Sequence, residues 1–254
     1  MKYRKQDLFK SITGKIEIGS YIIQHAGRFV TIIREIDNLY RSIPQKKAIR
    51  ILDFGSHTGA ISIGLKNQGY DVYCADIETV VNEYRHIYDQ SGLPIKILES
   101  GYHIPYDDKF FDCVVFSEVL EHMYDSPIEL LTEFKRIIKN DGYLLLTTPN
   151  VMKIENKIKY FLNMNIYQDI HSYTYNPRFW LHFREYTAKD LKILLGEYMK
   201  FSSVKIVMFN NASGRTPVKR FFQRCMFVFS YPLPMFKGFL MAIARNSPDR
   251  PLSS

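Results

Sequence analysis

The chain has 254 residues, 46% hydrophobic and 24% charged, a balance that excludes a disordered or fibrous protein and suits one core with an appendage. Its formal net charge is +8, and the N-terminal residues lack the apolar run of a secretory signal, so a cytoplasmic protein is expected. Cys74, Cys113 and Cys225 fit neither a CxxC pair nor a zinc spacing, which argues for small core fillers in a reducing compartment. Taken in chain order, residues 15–43 predict a helix, because Ile22, Phe29, Ile32, Ile33, Ile36, Tyr40 and Ile43 recur with the 3.6-residue repeat of one helix face. Pro44 and the polar residues after it end that helix.

Strands and helices then alternate. Strands are expected at 48–54, 70–75, 95–98, 112–116 and 143–148, with helices at 58–68, 78–90 and 127–139 and a turn at Asn140-Asp141-Gly142. Short connections between alternating elements mean a doubly wound, mostly parallel α/β sheet covered on both faces. The pattern breaks after Asn150. Residues 151–185 carry Tyr160, Phe161, Tyr167, Tyr173, Tyr175, Phe179, Trp180 and Phe183 with little strand character. Such a stretch reads as a lid or acceptor wall, and the plainer alternative is a packed cap that meets no ligand. A helix at 187–199 and strands at 203–209 and 238–244 complete a seven-stranded sheet.

The expected organisation is an N-terminal helical extension (1–46), a core (47–210) with the lid inside it, and a basic-apolar segment (211–254). From Arg215 to Arg250, seven basic residues face one acid, Asp249. That stretch reads either as a solvated edge or as a contact with an anionic membrane or lipid-linked substrate through 215–245. Pro232, Pro234, Lys237 and Gly238 interrupt its apolar run, so a membrane span is not expected, whereas Arg220, Phe221, Phe222, Arg224, Met226 and Phe227 suit an interfacial helix.

The chemistry concentrates at Ile51-Leu52-Asp53-Phe54-Gly55-Ser56-His57-Thr58-Gly59, where a strand meets a glycine turn and a helix. A dinucleotide fingerprint needs a third glycine, and a phosphate-binding loop needs Gly-Lys-Ser/Thr; both are missing. Asp53-Phe54-Gly55 spells a kinase metal motif, but no His-Arg-Asp loop precedes it. The second strand ends in Asp76, placed to accept the two hydroxyl protons of a ribose.

This turn resembles the first motif of the class I S-adenosylmethionine-dependent methyltransferases, in particular the small-molecule branch that includes the ubiquinone-biosynthesis O-methyltransferases. That motif usually reads Asp-h-Gly-x-Gly-x-Gly, and this chain keeps Asp53, Gly55 and Gly59 but carries His57 at the middle glycine. The resemblance continues at Ile104-Pro105-Tyr106 with Phe111-Asp112-Cys113-Val114-Val115, at Ser117-Glu118-Val119-Leu120-Glu121-His122, at Arg136–Gly142, and more weakly at His182–Thr187.

The resemblance implies S-adenosylmethionine as cofactor and a Rossmann-like fold. Asp53, Gly55, His57, Gly59, Asp76, Ser100, Gly101 and Ser117 are the positions it assigns to cofactor binding, with Ser100 where the family usually carries an acid beside the adenine. His57 reads first as a tolerated substitution with its ring turned to solvent or onto the first helix; alternatively it reaches the cofactor's carboxylate or obstructs the site. The expected reaction is O-methylation of a small-molecule acceptor, a sugar or lipid-linked intermediate, with His122, Glu118 and His182 as catalytic candidates and His122 first. Adjacent residues cannot both face inward from a regular helix, so Glu121 and His122 are not expected to act together. In the ubiquinone-type relatives Glu118, Glu121 and His122 correspond to a cluster associated with a divalent cation, but no metal is assigned, since these residues can equally pin the following loop. No nucleic-acid acceptor is expected, because an Asn/Asp-Pro-Pro-Tyr/Phe motif is missing. The alternative is a module that binds the cofactor and is catalytically silent.

Overall fold

The computed structural model describes residues 20–98, 102–167, 169–175, 180–211, 228 and 233–247. Helix α1 (Ser20–Leu39) leads into β1 (Arg50–Phe54), α2 (Ala60–Asn67), β2 (Asp71–Ile77), α3 (Glu78–Ser91) and β3 (Ile95–Leu98). The chain then crosses back to β4 (Phe111–Ser117), α4 (Ile128–Ile137) and β5 (Ile138–Pro149). Helices α5 (Ile154–Phe161), α6 (Ile170–Tyr175) and α7 (Ala188–Lys192) precede β6 (Ser203–Phe209) and β7 (Phe239–Arg245). The sheet order is β3-β2-β1-β4-β5-β7-β6, with β7 antiparallel to both neighbours and the other pairs parallel. The order reverses between β1 and β4, and a ligand crevice opens at the carboxyl ends of strands that part in this way.

Two apolar layers hold the sheet. On one face α1, α2 and α3 pack Phe29, Ile32, Ile36, Ile63 and Tyr88 onto Ile51, Val72, Cys113 and Val115. On the other, α4 and the helical segment 188–198 pack Leu131, Phe134, Ile137, Leu191 and Leu195 onto Leu52, Phe54, Val114 and Phe116. Neighbouring residues of β1 and β4 thus serve opposite layers, which is why these strands are apolar without alternation. Cys74 and Cys113 are free, buried thiols within this core.

Three expectations change. Helix α1 stops at Leu39; Tyr40 remains buried and donates its hydroxyl to the Asp112 carbonyl at 2.8 Å, but Ile43 is exposed beyond the helix end. Asn140-Asp141-Gly142 is not a turn between elements but lies inside β5, which already pairs through Ile138 with Phe111 before its register shifts. Asp141 adopts a left-handed backbone (φ +65°), and a Cβ on Gly142 would meet the Asp112 carbonyl oxygen at 2.7 Å, so turn-type residues here serve a strand irregularity. The helix expected over 187–199 starts on a reciprocal cap between Thr187 and Asp190 and widens into a π-helical turn over 193–198.

Tyr160, Phe161, Tyr167, Tyr173 and Tyr175 are exposed and form no packed cap. Ser100, Gly101, Phe179, Cys225 and the helix expected at 220–227 lie outside the described residues. Among the described residues, no helix is long and apolar enough to cross a membrane.

Phe134 is fully buried, with its ring centroid 5.0 Å from those of Phe54 and Phe116. Phe134→Ala is expected to lower the unfolding free energy by about 3–5 kcal/mol. Ile43→Ala should change it by less than about 0.5 kcal/mol, and urea titration of both variants checks the contrast.

Candidate active site

A cavity of about 1130 Å³ opens over the carboxyl ends of β1, β2 and β4. It exceeds the roughly 300–1,000 Å³ of a typical single-ligand site, so a cofactor and an acceptor fit together. Helix α1 forms one wall with Tyr21 and Arg28, and the segment after β5 forms another with Lys153, Trp180 and His182.

Within the glycine turn, Gly55 lines the cavity with φ +72°, and a Cβ there would lie 2.5 Å from Cγ2 of Val119. Its lack of a side chain therefore lets the turn close against the loop after β4. Gly59 (φ +68°) is not on the cavity wall; a Cβ there would press on the Tyr88 ring at 3.2 Å. Asp53 is not on the wall either. It is buried beneath the turn, where Ser62 Oγ donates to its Oδ2 at 2.5 Å. Burial pushes its carboxyl up to about 7 against the opposing effect of that bond. Through this bond Asp53 anchors the turn to α2.

Asp76 faces the cavity with both oxygens organised. Oδ2 accepts the His57 N–H at 2.7 Å and Oδ1 accepts the Ile77 N–H at 2.8 Å, which leaves lone pairs on each for a further donor. Burial raises its carboxyl pKa, and the two N–H bonds oppose the shift.

His57 has a left-handed backbone (φ +48°), and its ring packs onto the first helix, against Tyr21. It stands 4.9 Å between centroids from Tyr21 and 4.9 Å from Tyr84, with Trp180 edge-on at 6.1 Å, as part of an aromatic wall. Its Nδ1 is buried with no hydrogen-bond partner, and burial holds the imidazole below its ordinary pKa.

Glu118, one of the expected catalytic candidates, lines the cavity with both carboxylate oxygens hydrogen-bonded. Arg28 Nη1 donates to its Oε2 at 3.0 Å, and Thr147 Oγ1 donates to its Oε1 at 2.9 Å. A carboxylate only accepts, so the Thr147 proton is committed and Ser117 Oγ must donate to Thr147 Oγ1, 2.9 Å away. Each oxygen thus accepts one hydrogen bond, and Glu118 positions Arg28 and Thr147 at the cavity wall. Arg28 itself was not singled out in the sequence; a charged residue beside buried Phe29 and four before buried Ile32 was the available signal.

His122 and His182 are brought together, ring centroids 4.8 Å apart, because the Phe183 N–H donates to the Glu121 carbonyl at 2.8 Å. His122 Nδ1 lies 3.0 Å from the Leu181 carbonyl, which can only accept, so Nδ1 carries the proton and Nε2 keeps its lone pair. Burial, then the neighbouring His182, hold His122 down at about 4, and its ring is neutral at pH 7. His182 Nδ1 lies 3.3 Å from Glu185 Oε1. Burial would raise Glu185, but the bond with His182 and the charge of Lys153 leave it below its ordinary pKa.

Residues Leu120–His122 form a 3-10 turn rather than a helix, and both Glu121 and His122 line the cavity. Burial and then the charge of Glu118 push the Glu121 carboxyl well above its usual range, and Thr148 Oγ1 donates to it at 3.0 Å. One ligand atom each from Glu121, His122 and His182 lies within 4.8 Å of the others. If a divalent cation binds, this trio offers the donors, since Glu118 is committed to Arg28 and Thr147.

Residues 25–198, two thirds of the chain, match the family model described as a methyltransferase domain, and the chain belongs to that family, of the class I S-adenosylmethionine-dependent type. It is 31% identical over 127 residues to the ubiquinone biosynthesis O-methyltransferase of Rickettsia prowazekii (strain Madrid E), covering 50% of this chain and 49% of that protein. An uncharacterized protein of Methanocaldococcus jannaschii is 29% identical over 119 residues, covering 47% of this chain and 49% of that protein. The chain thus spans about half the length of the curated relatives it matches. The same fold recurs in a SAM-dependent methyltransferase from Archaeoglobus fulgidus, at 20% identity and a TM-score of 0.56 over 89% of this chain and 99% of that one. Another, from Aquifex aeolicus, gives 15% identity and a TM-score of 0.51 over 96% and 99%.

The neutral state of His122 carries a pH dependence. Its folded pKa of about 4 lies below the unfolded value of about 6.5, so between these the unfolded chain binds the extra proton. Its contribution to stability is full above about pH 6.5 and is lost as pH falls towards about 4. Asp53, raised to about 7, has the opposite slope but is common to both proteins compared. The unfolding free energy of the wild type relative to His122→Gln should therefore decline on acidification, read from denaturant midpoints at stepped pH.

Proposed function

We propose that the protein transfers the methyl group of S-adenosylmethionine to a hydroxyl oxygen of a small-molecule acceptor, a sugar or lipid-linked intermediate in character. The observation that carries this reading is the histidine pair on the cavity wall, each ring held through Nδ1 by a protein acceptor. When bound, the cofactor supplies an electrophilic methyl on a positively charged sulfur. Three features of the cavity suit it. Asp76 offers lone pairs on both oxygens to the ribose hydroxyls. Arg28 Nε and His57 Nδ1, both buried and without hydrogen-bond partners, are donors suited to the carboxylate end. The cavity keeps room for an acceptor beside these groups.

A hydroxyl acceptor must lose its proton as its oxygen attacks, and in-line displacement otherwise requires alignment above all. Glu185 stabilises a protonated His182, so His182 ranks ahead of His122 as general base, with Glu185 as its positioning partner. His122, neutral and fixed in one tautomer, accepts a hydrogen bond at Nε2 and orients the acceptor. Helix α1 acts as a cap that supplies Arg28, and the insertion after β5 as the acceptor wall through Trp180 and His182. The O-methyltransferase name of the Rickettsia relative supports the choice of oxygen.

His57 on the wall favours a second reading, in which the cofactor binds without transfer. Labelled-methyl transfer to fractionated lipids and polar metabolites separates the two; binding with no labelled product in any fraction selects the silent module. Asp76→Ala should weaken cofactor binding by about a hundredfold or more in calorimetry, through the loss of two hydrogen bonds to a charged group. His182→Ala should cost about 10²–10⁴ in kcat with cofactor affinity kept, whereas His122→Ala should act mainly through the acceptor's KM. Undiminished turnover in His182→Ala removes it as the base.

A further inference from the structure

Most of the exposed large apolar side chains among the described residues fall within 152–183. Phe161 is 87% exposed, Tyr175 81%, Tyr167 80% and Tyr160 78%, with Leu162, Met164, Ile170 and Tyr173 also more than half exposed. Single exposed apolar residues are ordinary on a soluble surface, but a run this dense marks a contact surface. Its composition narrows what covers it. Tyrosine rings have an apolar body and a polar tip, which suits the boundary between water and hydrocarbon better than a dry protein interior.

Charge points the same way. Helix α5 carries Lys153, Lys157 and Lys159 against Glu155 alone. Lys157 Nζ lies 5.6 Å over the Phe236 ring, which brings the turn Pro234–Phe236, with exposed Met235 and then Lys237, beside α5. Lysines among exposed aromatics can lay their stems on apolar surface and reach acidic headgroups. Lys159, Ile166 and Trp180, from the same stretch, line the cavity, so this surface borders its mouth.

We infer that the surface formed by α5, residues 162–167 and α6 seats on the headgroup layer of an anionic lipid bilayer, where an amphiphilic acceptor meets the cavity mouth. The route of the acceptor rests on the methyl-transfer reading; the docking does not, and it is measured without cofactor or acceptor. The test is co-sedimentation of the full chain with vesicles of phosphatidylcholine alone and with added phosphatidylglycerol. Binding is expected to the anionic vesicles and to weaken with salt. Phe161→Glu/Tyr167→Glu, at exposed positions away from the cavity, should reduce partitioning by about tenfold or more, and Lys157→Glu, also off the cavity wall, should reduce it on anionic vesicles only. Circular dichroism and the thermal shift with S-adenosylmethionine should stay unchanged in both variants. Three outcomes overturn the inference: protein left in the supernatant with both vesicles, sedimentation unaffected by Phe161→Glu/Tyr167→Glu, or no vesicle binding alongside a self-association that this variant abolishes. The last would assign the surface to a second copy of the chain.

Discussion

Glu118 leaves β4 with a left-handed backbone at φ +56°, a conformation that costs a non-glycine residue about 1–3 kcal/mol unless its surroundings hold it. Arg28 holds it, with Nη1 on one carboxylate oxygen, while Thr147 from β5 takes the other. One buried ion pair thus ties α1, the end of β4 and β5 into a single wall, and Tyr21 joins through Arg28 Nη2 at 3.2 Å. Removing either partner would leave a buried charge uncompensated, an effect on the order of 3–5 kcal/mol. The pair is a buried polar tie between α1 and the carboxyl edge of the sheet, alongside the bond from Asn211 Nδ2 to the Gln24 carbonyl at 3.1 Å.

The same edge shifts three ionisable groups toward their neutral forms. His122 is depressed by burial and by His182, Glu121 is raised by burial and by Glu118, and Asp53 is raised by burial beneath the turn. Charge is concentrated instead where a partner compensates it, on Arg28 with Glu118 and on Glu185 beside His182. At this wall Arg28 and Glu118 balance each other and His122 is neutral, which suits methyl transfer, in which the positive charge resides on the cofactor's sulfur and is lost as the reaction proceeds. Neutral donors and acceptors can then align the acceptor without drawing a shell of water into the site.

The insertion after β5 connects this wall to the outside. Asn150 and Tyr186 pair as a parallel bridge that closes the base of the insertion, and the Glu121 carbonyl grips its far end at Phe183. Between these clamps the chain presents His182 and Trp180 inward and a tyrosine-rich surface outward. One segment therefore shapes the acceptor site and offers a surface for docking, which links where the protein sits to what reaches its histidines.

By itself the sequence determined the sheet, because runs such as Asp112–Phe116 and the 3.6-residue stripe of α1 state their own burial, and apolar periodicity is a local property. It also brought Gly55, His57, Asp76 and Ser117 to one edge, since they follow from strand ends, and all four line the cavity. It misplaced the turn at Asn140–Gly142, because turn-type residues also serve bulges and only the partner strand tells the two apart. The roles at the carboxyl edge needed the tertiary structure. Whether Glu118 is a base or a partner depends on Arg28, ninety positions earlier in the chain. Whether His182 meets His122 depends on one backbone bond across sixty-two residues, from Phe183 to Glu121. His57, the departure visible from the first reading, turned out to face the cavity because Tyr21, Tyr84 and Trp180 converge on it from three separate segments. A side chain's protonation and direction are set by what surrounds it in space, and a one-dimensional pattern carries no record of those neighbours.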